Sequence, residues 1–145
     1  MSTRELQEIL VENMKKWQKI ENASIHSTGK IMDNTDNTAI RQVMEIIQQD
    51  SSMHYRVQGL IVDSLTKESL SMNPEELAGV WDMIETHIKL EQKTIEFAKE
   101  AMEALKGKKM VIQEYFLNYL LADEEKHNEL LETLDKIKSG MYPYG

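Results

Sequence analysis

Long stretches with an apolar residue at every third or fourth position are the feature that most constrains how this chain folds. This spacing puts apolar side chains on one face of an α-helix, whereas a half-buried strand needs strict alternation, which no segment shows. Three short clusters of turn-forming or basic residues divide the periodic stretches: "DNTDNT" at 33–38, "SLSMNPEE" at 69–76 and "KGKK" at 106–109. The pattern therefore predicts four helices and no sheet.

The helix limits follow from residues typical of helix ends. Asn73 is placed as an N-cap before Pro74, and Glu75 and Glu76 follow in the first turn, where the helix dipole favours negative charge. Either Asn37 or Thr38 is expected to cap the second helix. The predicted helices span 3–31, 38–67, 74–105 and 109–138, followed by the non-periodic tail "MYPYG". The predicted fold class is all-α, and a single four-helix bundle domain covering 1–145 is its simplest architecture.

Composition excludes several classes of function. The 145 residues carry a formal net charge of −8, which argues against a nucleic-acid partner. The absence of cysteine excludes disulfides, thiolate zinc sites and a cysteine nucleophile. The charged first residues do not resemble a secretory signal, and no stretch is apolar enough for a membrane span. We therefore expect a soluble, cytoplasmic protein.

Ionisable residues interrupt the predicted core face of every helix. Glu124 and His127 lie between Leu120 and Leu131, and the other helices contribute Glu21, Asp50, His54, His87 and Glu91. At about 1.5 Å per residue, short turns between neighbouring helices would bring these groups to similar heights. A lone Glu or His of this kind is more often packed by its stem or hydrogen-bonded in the core. Several carboxylates in one layer, however, would cost several kcal/mol each without a cation.

The ligand chemistry then limits which cation is expected. Carboxylate oxygens combined with imidazole nitrogens, in the absence of thiolates, suit iron, manganese or zinc. The sequence therefore predicts a metal site at the centre of the helices.

The arrangement of these residues resembles that of a known superfamily. Glu124 and His127 form a Glu-x-x-His motif that follows the solitary Glu91, and in this the chain resembles the ferritin-like superfamily, in particular the rubrerythrin-like di-iron carboxylate proteins. That family uses one Glu from each of two helices and a Glu-x-x-His motif from each of the other two. The resemblance implies a di-iron oxidoreductase that reduces peroxide or oxidises ferrous iron. The ligands that it implies are Glu21, His54, Glu91, Glu124 and His127, with Glu124 bridging the two metals.

One motif carboxylate of the family pattern is missing. Aligning "DEEKH" at 123–127 with "DSSMH" at 50–54 sets Glu124 against Ser51. Asp50 is a candidate substitute, and His87, one turn before Glu91, is an additional candidate ligand. The site would hold two metals unsymmetrically, hold one metal, or be a remnant. Without cysteine for a rubredoxin-like part, an enzyme of this type needs an external electron donor.

Two alternatives stay open at this point. The first is a non-catalytic structural or binding bundle, whose polar layer is a hydrogen-bonded network or holds a single metal. The second concerns the connection between helices 2 and 3, at about 66–73, which is too short for the long crossover of ferritin-like bundles if helix 2 reaches residue 67. A helix 2 that ends near 59–63 would allow that crossover. An up-down-up-down order or helix exchange in a dimer would otherwise follow, and we expect a homodimer.

Overall fold

A computed structural model describes residues 1–140, and these form four α-helices with no strand among them. The helices are α1 (Thr3–Asp33), α2 (Thr38–Thr66), α3 (Pro74–Leu105) and α4 (Val111–Lys138). The prediction of an all-α fold with four helices is confirmed. The tail at 141–145 lies outside the described residues.

The predicted caps are found where the sequence placed them. Asn37 Oδ1 accepts a hydrogen bond of 3.0 Å from the Ile40 amide, and Asn73 Oδ1 accepts one of 2.8 Å from the Glu75 amide. Pro74 occupies the first turn of α3, where its missing N–H costs no helical hydrogen bond. Each cap satisfies an amide that would otherwise lack a partner at a helix start. These contacts explain why both boundaries could be predicted to within a residue.

Two compact units make up the chain, and each is an antiparallel helical hairpin. Residues 1–70 contain α1 and α2, and the second unit begins at Ser71 and contains α3 and α4. The turn of the second hairpin includes Gly107 at φ 77°, a left-handed conformation that glycine adopts without strain. Helix α4 begins at Val111, two residues later than predicted.

The first hairpin corrects the predicted core face of α2. Asp50 and His54 were expected on the buried side, but both are exposed, and α2 buries Ser51 and Gln58 instead. Polar contacts between the helices set this orientation: the Ser24 and Ser51 hydroxyls are 2.8 Å apart, and Gln48 donates to the Ile25 carbonyl oxygen at 3.1 Å. The buried face is therefore displaced by one residue, about 100° around the helix.

The second hairpin buries the predicted core face of α3 around Glu91, although His87, which was expected on this face, is exposed. Leu77, Glu91 and Ala98 are buried there, and Glu91 keeps only 8% of its surface exposed. Among residues 1–140, no helix is both long and apolar enough to cross a membrane. Helix α2 continues to Thr66, so the alternative in which it ends near 59–63 is wrong, and the link to α3 is only 67–73.

Candidate metal centre

Glu91, Glu124 and His127 converge between α3 and α4. One potential ligand atom of each lies within 4.8 Å of the other two. His127 Nδ1 is 3.5 Å from Glu91 Oε2 and 3.8 Å from Glu124 Oε2. Donors 2.0–2.2 Å from one tetrahedral metal are about 3.4 Å from each other. The three side chains are thus spaced much as ligands of a single ion would be.

Helix geometry explains why these three side chains meet. Residues three apart share one face of a helix, so Glu124 and His127 both point from α4 toward α3. Glu91 lies on the buried face of α3, between Leu77 and Ala98 along the helix. Its side chain is 11% exposed, against 22% for Glu124 and 40% for His127. The site is therefore deepest at Glu91 and opens toward His127.

Each of the three side chains also has a second polar partner. His87 Nε2 is 2.9 Å from Glu91 Oε1, and the Thr94 hydroxyl is 2.9 Å from Glu124 Oε2, to which it donates. The same hydroxyl lies 2.7 Å from the carbonyl oxygen of Glu91.

The partner of His127 is a carboxylate on its own helix. Asp123 Oδ2 lies 3.6 Å from His127 Nε2, and Lys126 Nζ lies 2.8 Å from Asp123 Oδ1. With Nε2 directed at Asp123, Nδ1 is the nitrogen presented to Glu91 and Glu124. Partners of this kind orient metal ligands and tune their basicity in metalloproteins.

Glu91 and Glu124 shift each other's pKa in opposite directions. The pKa of Glu124 is raised, first by its hydrogen bond with Glu91 and then by burial. That same hydrogen bond lowers the pKa of Glu91, and the nearby His127 and His87 lower it further against the effect of burial. As the pH falls, Glu124 therefore takes up a proton before Glu91 does.

One oxygen of Glu91 has no hydrogen-bond partner. Oε2 is buried, and no donor among residues 1–140 bonds to it. A buried carboxylate oxygen without a donor is unfavourable, because the group loses its hydration. A cation between Glu91, Glu124 and His127 would remove this cost, so the residues present fit a metal.

An apolar groove of about 300 Å³ reaches one side of the cluster. Phe97, Ala98, Leu117 and Leu120 line it, and Thr94 and Glu124 supply its polar part. The Glu124 side chain therefore borders an apolar surface on this side.

The first hairpin carries a partial counterpart of the cluster. His54 Nδ1 is 3.5 Å from Glu21 Oε2, the separation also found between His127 and Glu91. Glu21 Oε2 is likewise buried without a hydrogen bond from any of residues 1–140. Ser51 stands in place of a carboxylate, and its hydroxyl bonds that of Ser24.

The structure thus sorts the predicted site residues into groups. Glu91, Glu124 and His127 come together, His87 contacts the group through Glu91, and Glu21 pairs separately with His54. Asp50 is exposed and forms no part of the Glu21–His54 pair.

Two residues of the site were not singled out by the sequence. Thr94 lies three residues after Glu91 and Asp123 four residues before His127, spacings that place each on the same side of its helix as the ligand. These spacings are the sequence signal that could have identified Thr94 and Asp123 as parts of the site.

Comparison with known proteins provides no assignment. The chain matches no protein family, no curated protein and no solved structure.

Proposed function

We propose that this protein binds a divalent transition metal through Glu91, Glu124 and His127. The observation that carries the proposal is the buried, unpartnered Oε2 of Glu91, which lies 3.5 Å from His127 Nδ1. Two carboxylates and one imidazole favour iron, manganese or zinc over softer metals. Three protein ligands leave at least one coordination position for water or a substrate.

We further propose a ferritin-like, rubrerythrin-like activity, with iron as the metal. Bound iron would supply the redox chemistry needed to reduce peroxide or to oxidise ferrous iron. The groove beside Glu124 supports this, since it gives a small oxidant access to the cluster. Glu21 and His54 are the candidate ligands of a second iron, with fewer protein donors and weaker binding. Turnover with peroxide would require electrons from a separate donor protein or small molecule.

Metal titration of the full-length protein tests the proposal. Purified metal-free protein should bind close to one equivalent of Fe²⁺ tightly under anaerobic conditions. Glu91→Gln should weaken this binding at least tenfold, because it removes a charged ligand. Glu96→Gln on the exposed side of α3 is the matched control and should bind like the unchanged protein. Equal affinities for all three proteins would overturn the assignment of Glu91.

Redox activity needs its own measurement. Addition of oxygen or peroxide to the Fe²⁺-loaded protein should produce an optical change that Glu91→Gln lacks. Tight Fe²⁺ binding with no such change would leave metal binding standing and would reject the oxidoreductase proposal.

A second candidate function is a non-catalytic helical protein in which the polar layer has a structural role. The Ser24–Ser51 hydrogen bond favours it, since the first hairpin satisfies the buried Ser51 hydroxyl without any metal. Protein purified without metal can be unfolded by heat before and after Fe²⁺, Mn²⁺ or Zn²⁺ is added. An unchanged unfolding temperature would support this candidate over the first.

A further inference from the structure

His87 is linked to the cluster through one particular oxygen of Glu91. Its Nε2 is 2.9 Å from Glu91 Oε1, whereas the other oxygen, Oε2, lies near His127 Nδ1. Because an ionised carboxylate only accepts hydrogen bonds, the imidazole is the donor in this contact. The two oxygens of Glu91 therefore have different surroundings.

The position of His87 argues against a role as a direct ligand. Within residues 1–140, the group whose ligand atoms lie within 4.8 Å of one another contains Glu91, Glu124 and His127 but not His87. The His87 side chain is 55% exposed, while that of Glu91 is 11% exposed. His87 thus lies on the outer side of Glu91, where it acts on the carboxylate and not on the metal.

We propose that His87 is a positioning residue that restricts Glu91 to a single metal-facing oxygen and thereby sets the metal preference of the site. The inference rests on the proposed function, because it needs a metal at the cluster. A carboxylate free of this contact can chelate a metal with both oxygens. With Oε1 held by His87, only Oε2 is available, and the protein supplies three donor atoms.

A small number of donors has a consequence for selectivity. Zinc and cobalt accept four-coordinate sites with nitrogen and oxygen ligands, whereas Mn²⁺ prefers six oxygen-rich positions. His87 should therefore favour Co²⁺ or Zn²⁺ over Mn²⁺. In the first hairpin the residue one turn before Glu21 is Trp17, so that hairpin has no histidine at the position of His87.

Cobalt absorption of the full-length protein provides the test. Four-coordinate Co²⁺ absorbs strongly in the visible range and six-coordinate Co²⁺ absorbs weakly. We expect a strong band in the unchanged protein and a markedly weaker one in His87→Ala, where Glu91 chelates. The preference for Co²⁺ over Mn²⁺, measured by competition, should fall about tenfold.

Two further variants separate positioning from ligation and from general disturbance. In His87→Gln the side-chain amide can still donate to Glu91 Oε1, so the strong band and the preference should return. If His87 were a ligand, Gln would fail to restore either, and the proposal would be wrong. His26→Ala, at an exposed histidine of α1, should match the unchanged protein.

The outcomes also separate this inference from the proposed function. If the unchanged protein binds no Co²⁺ or Fe²⁺, the metal centre itself is rejected. If it binds Co²⁺, and His87→Ala retains both the spectrum and the selectivity, only the role of His87 is rejected.

Discussion

Ser24 and Ser51 are joined by a hydroxyl–hydroxyl hydrogen bond of 2.8 Å at the point where α1 and α2 come together. In the second hairpin, Thr94 and Glu124 form the corresponding contact of 2.9 Å. The two hairpins thus share a hydroxyl on the first helix and differ in its partner on the second. A hydroxyl partner completes a neutral pair, whereas a carboxylate partner leaves oxygen lone pairs available to a cation.

Replacing Ser51 by Glu should create a second metal site in the first hairpin. Ser51 is 6% exposed and lies in the helix interface with Glu21, so the new carboxylate would join Glu21 and His54. We expect Ser51→Glu to bind about one more equivalent of Fe²⁺ per chain. Inductively coupled plasma mass spectrometry after loading and desalting measures the stoichiometry.

The exposed neighbour Ser52 offers a matched control for that experiment. Ser52→Glu adds the same charge outside the interface and should leave the stoichiometry unchanged. Without metal, Ser51→Glu should be destabilised by about 2 kcal/mol, because it buries an unpaired charge beside Glu21. An unchanged stoichiometry in a folded Ser51→Glu protein would show that the first hairpin has no latent site.

Metal binding should release a proton from Glu124. The pKa of this carboxyl group is raised above its usual 4.5, so Glu124 keeps its proton to a higher pH than an ordinary glutamate does. A metal that binds Glu124 while the proton is present must displace it. Affinity should therefore rise with pH up to the raised pKa of Glu124 and level off above it. Calorimetric titrations in buffers of different ionisation enthalpy count the protons released. Glu124→Gln should abolish this linked release together with most of the affinity.

The same two carboxylates should give the metal-free protein opposing pH dependences. The raised pKa of Glu124 contributes stability that is present below 4.5 and lost as pH rises through the raised value. The lowered pKa of Glu91 contributes stability that is present above 4.5 and lost as pH falls through the lowered value. In Glu124→Gln, the loss of stability as pH rises from 4.5 toward neutral should disappear. The thermal unfolding temperature at each pH measures it. A pH profile identical to that of the unchanged protein would contradict the raised pKa of Glu124.

Asp123 should matter for metal affinity although it is not a ligand. Its Oδ2 is 3.6 Å from His127 Nε2, while Nδ1 lies on the side of the two glutamates, so we expect Asp123 to orient the ring. Asp123→Asn should weaken metal binding about 10-fold to 100-fold, the range seen when such partners are removed. Asp135→Asn is the control, since Asp135 is exposed on the same helix and pairs at 3.9 Å with Lys138. Similar affinities for the two variants would exclude an orienting role for Asp123.

The N-cap of α3 should contribute to stability independently of any metal. Asn73→Ala removes the acceptor of the 2.8 Å bond from the Glu75 amide and should cost about 1 kcal/mol. Urea unfolding of the metal-free protein measures the change. Asn128→Ala, which removes an exposed side-chain bond to Glu132, should cost only about 0.3 kcal/mol.

The sequence predicted the second hairpin better than the first, for a physical reason. On α3 the apolar positions around Glu91 define a single buried face, which includes Leu77 and Ala98. On α2 an aliphatic face with Ile40 and Ile47 competes with a small polar face around Ser51, and the periodicity favours the aliphatic one. The hairpin buries the polar face, while Ile40 and Ile47 stay 44% and 40% exposed.

Contacts between helices decide which of two competing faces is buried. The spacing of residues along one helix does not reveal these contacts. The carbonyl oxygen of Ile25 becomes the acceptor of Gln48 only when α1 and α2 are adjacent. The orientation of Asp123 toward His127 is similarly a property of side-chain conformation. Helix limits and the shared face of Glu124 and His127 could be predicted, because caps and the spacing of residues along one helix are local.

The turn at 106–110 joins the two helices that carry the cluster. Glu91 and Glu124 lie on either side of this one turn, so a metal bound to both acts as a reversible cross-link that closes a single loop of the polypeptide. Loop closure restricts the unfolded chain, and its entropic effect grows only slowly with loop length. Glu91 and Glu124 lie in the same compact unit, so the loop that a metal would close belongs to the second hairpin alone. Metal binding would then be linked to the folding of this hairpin.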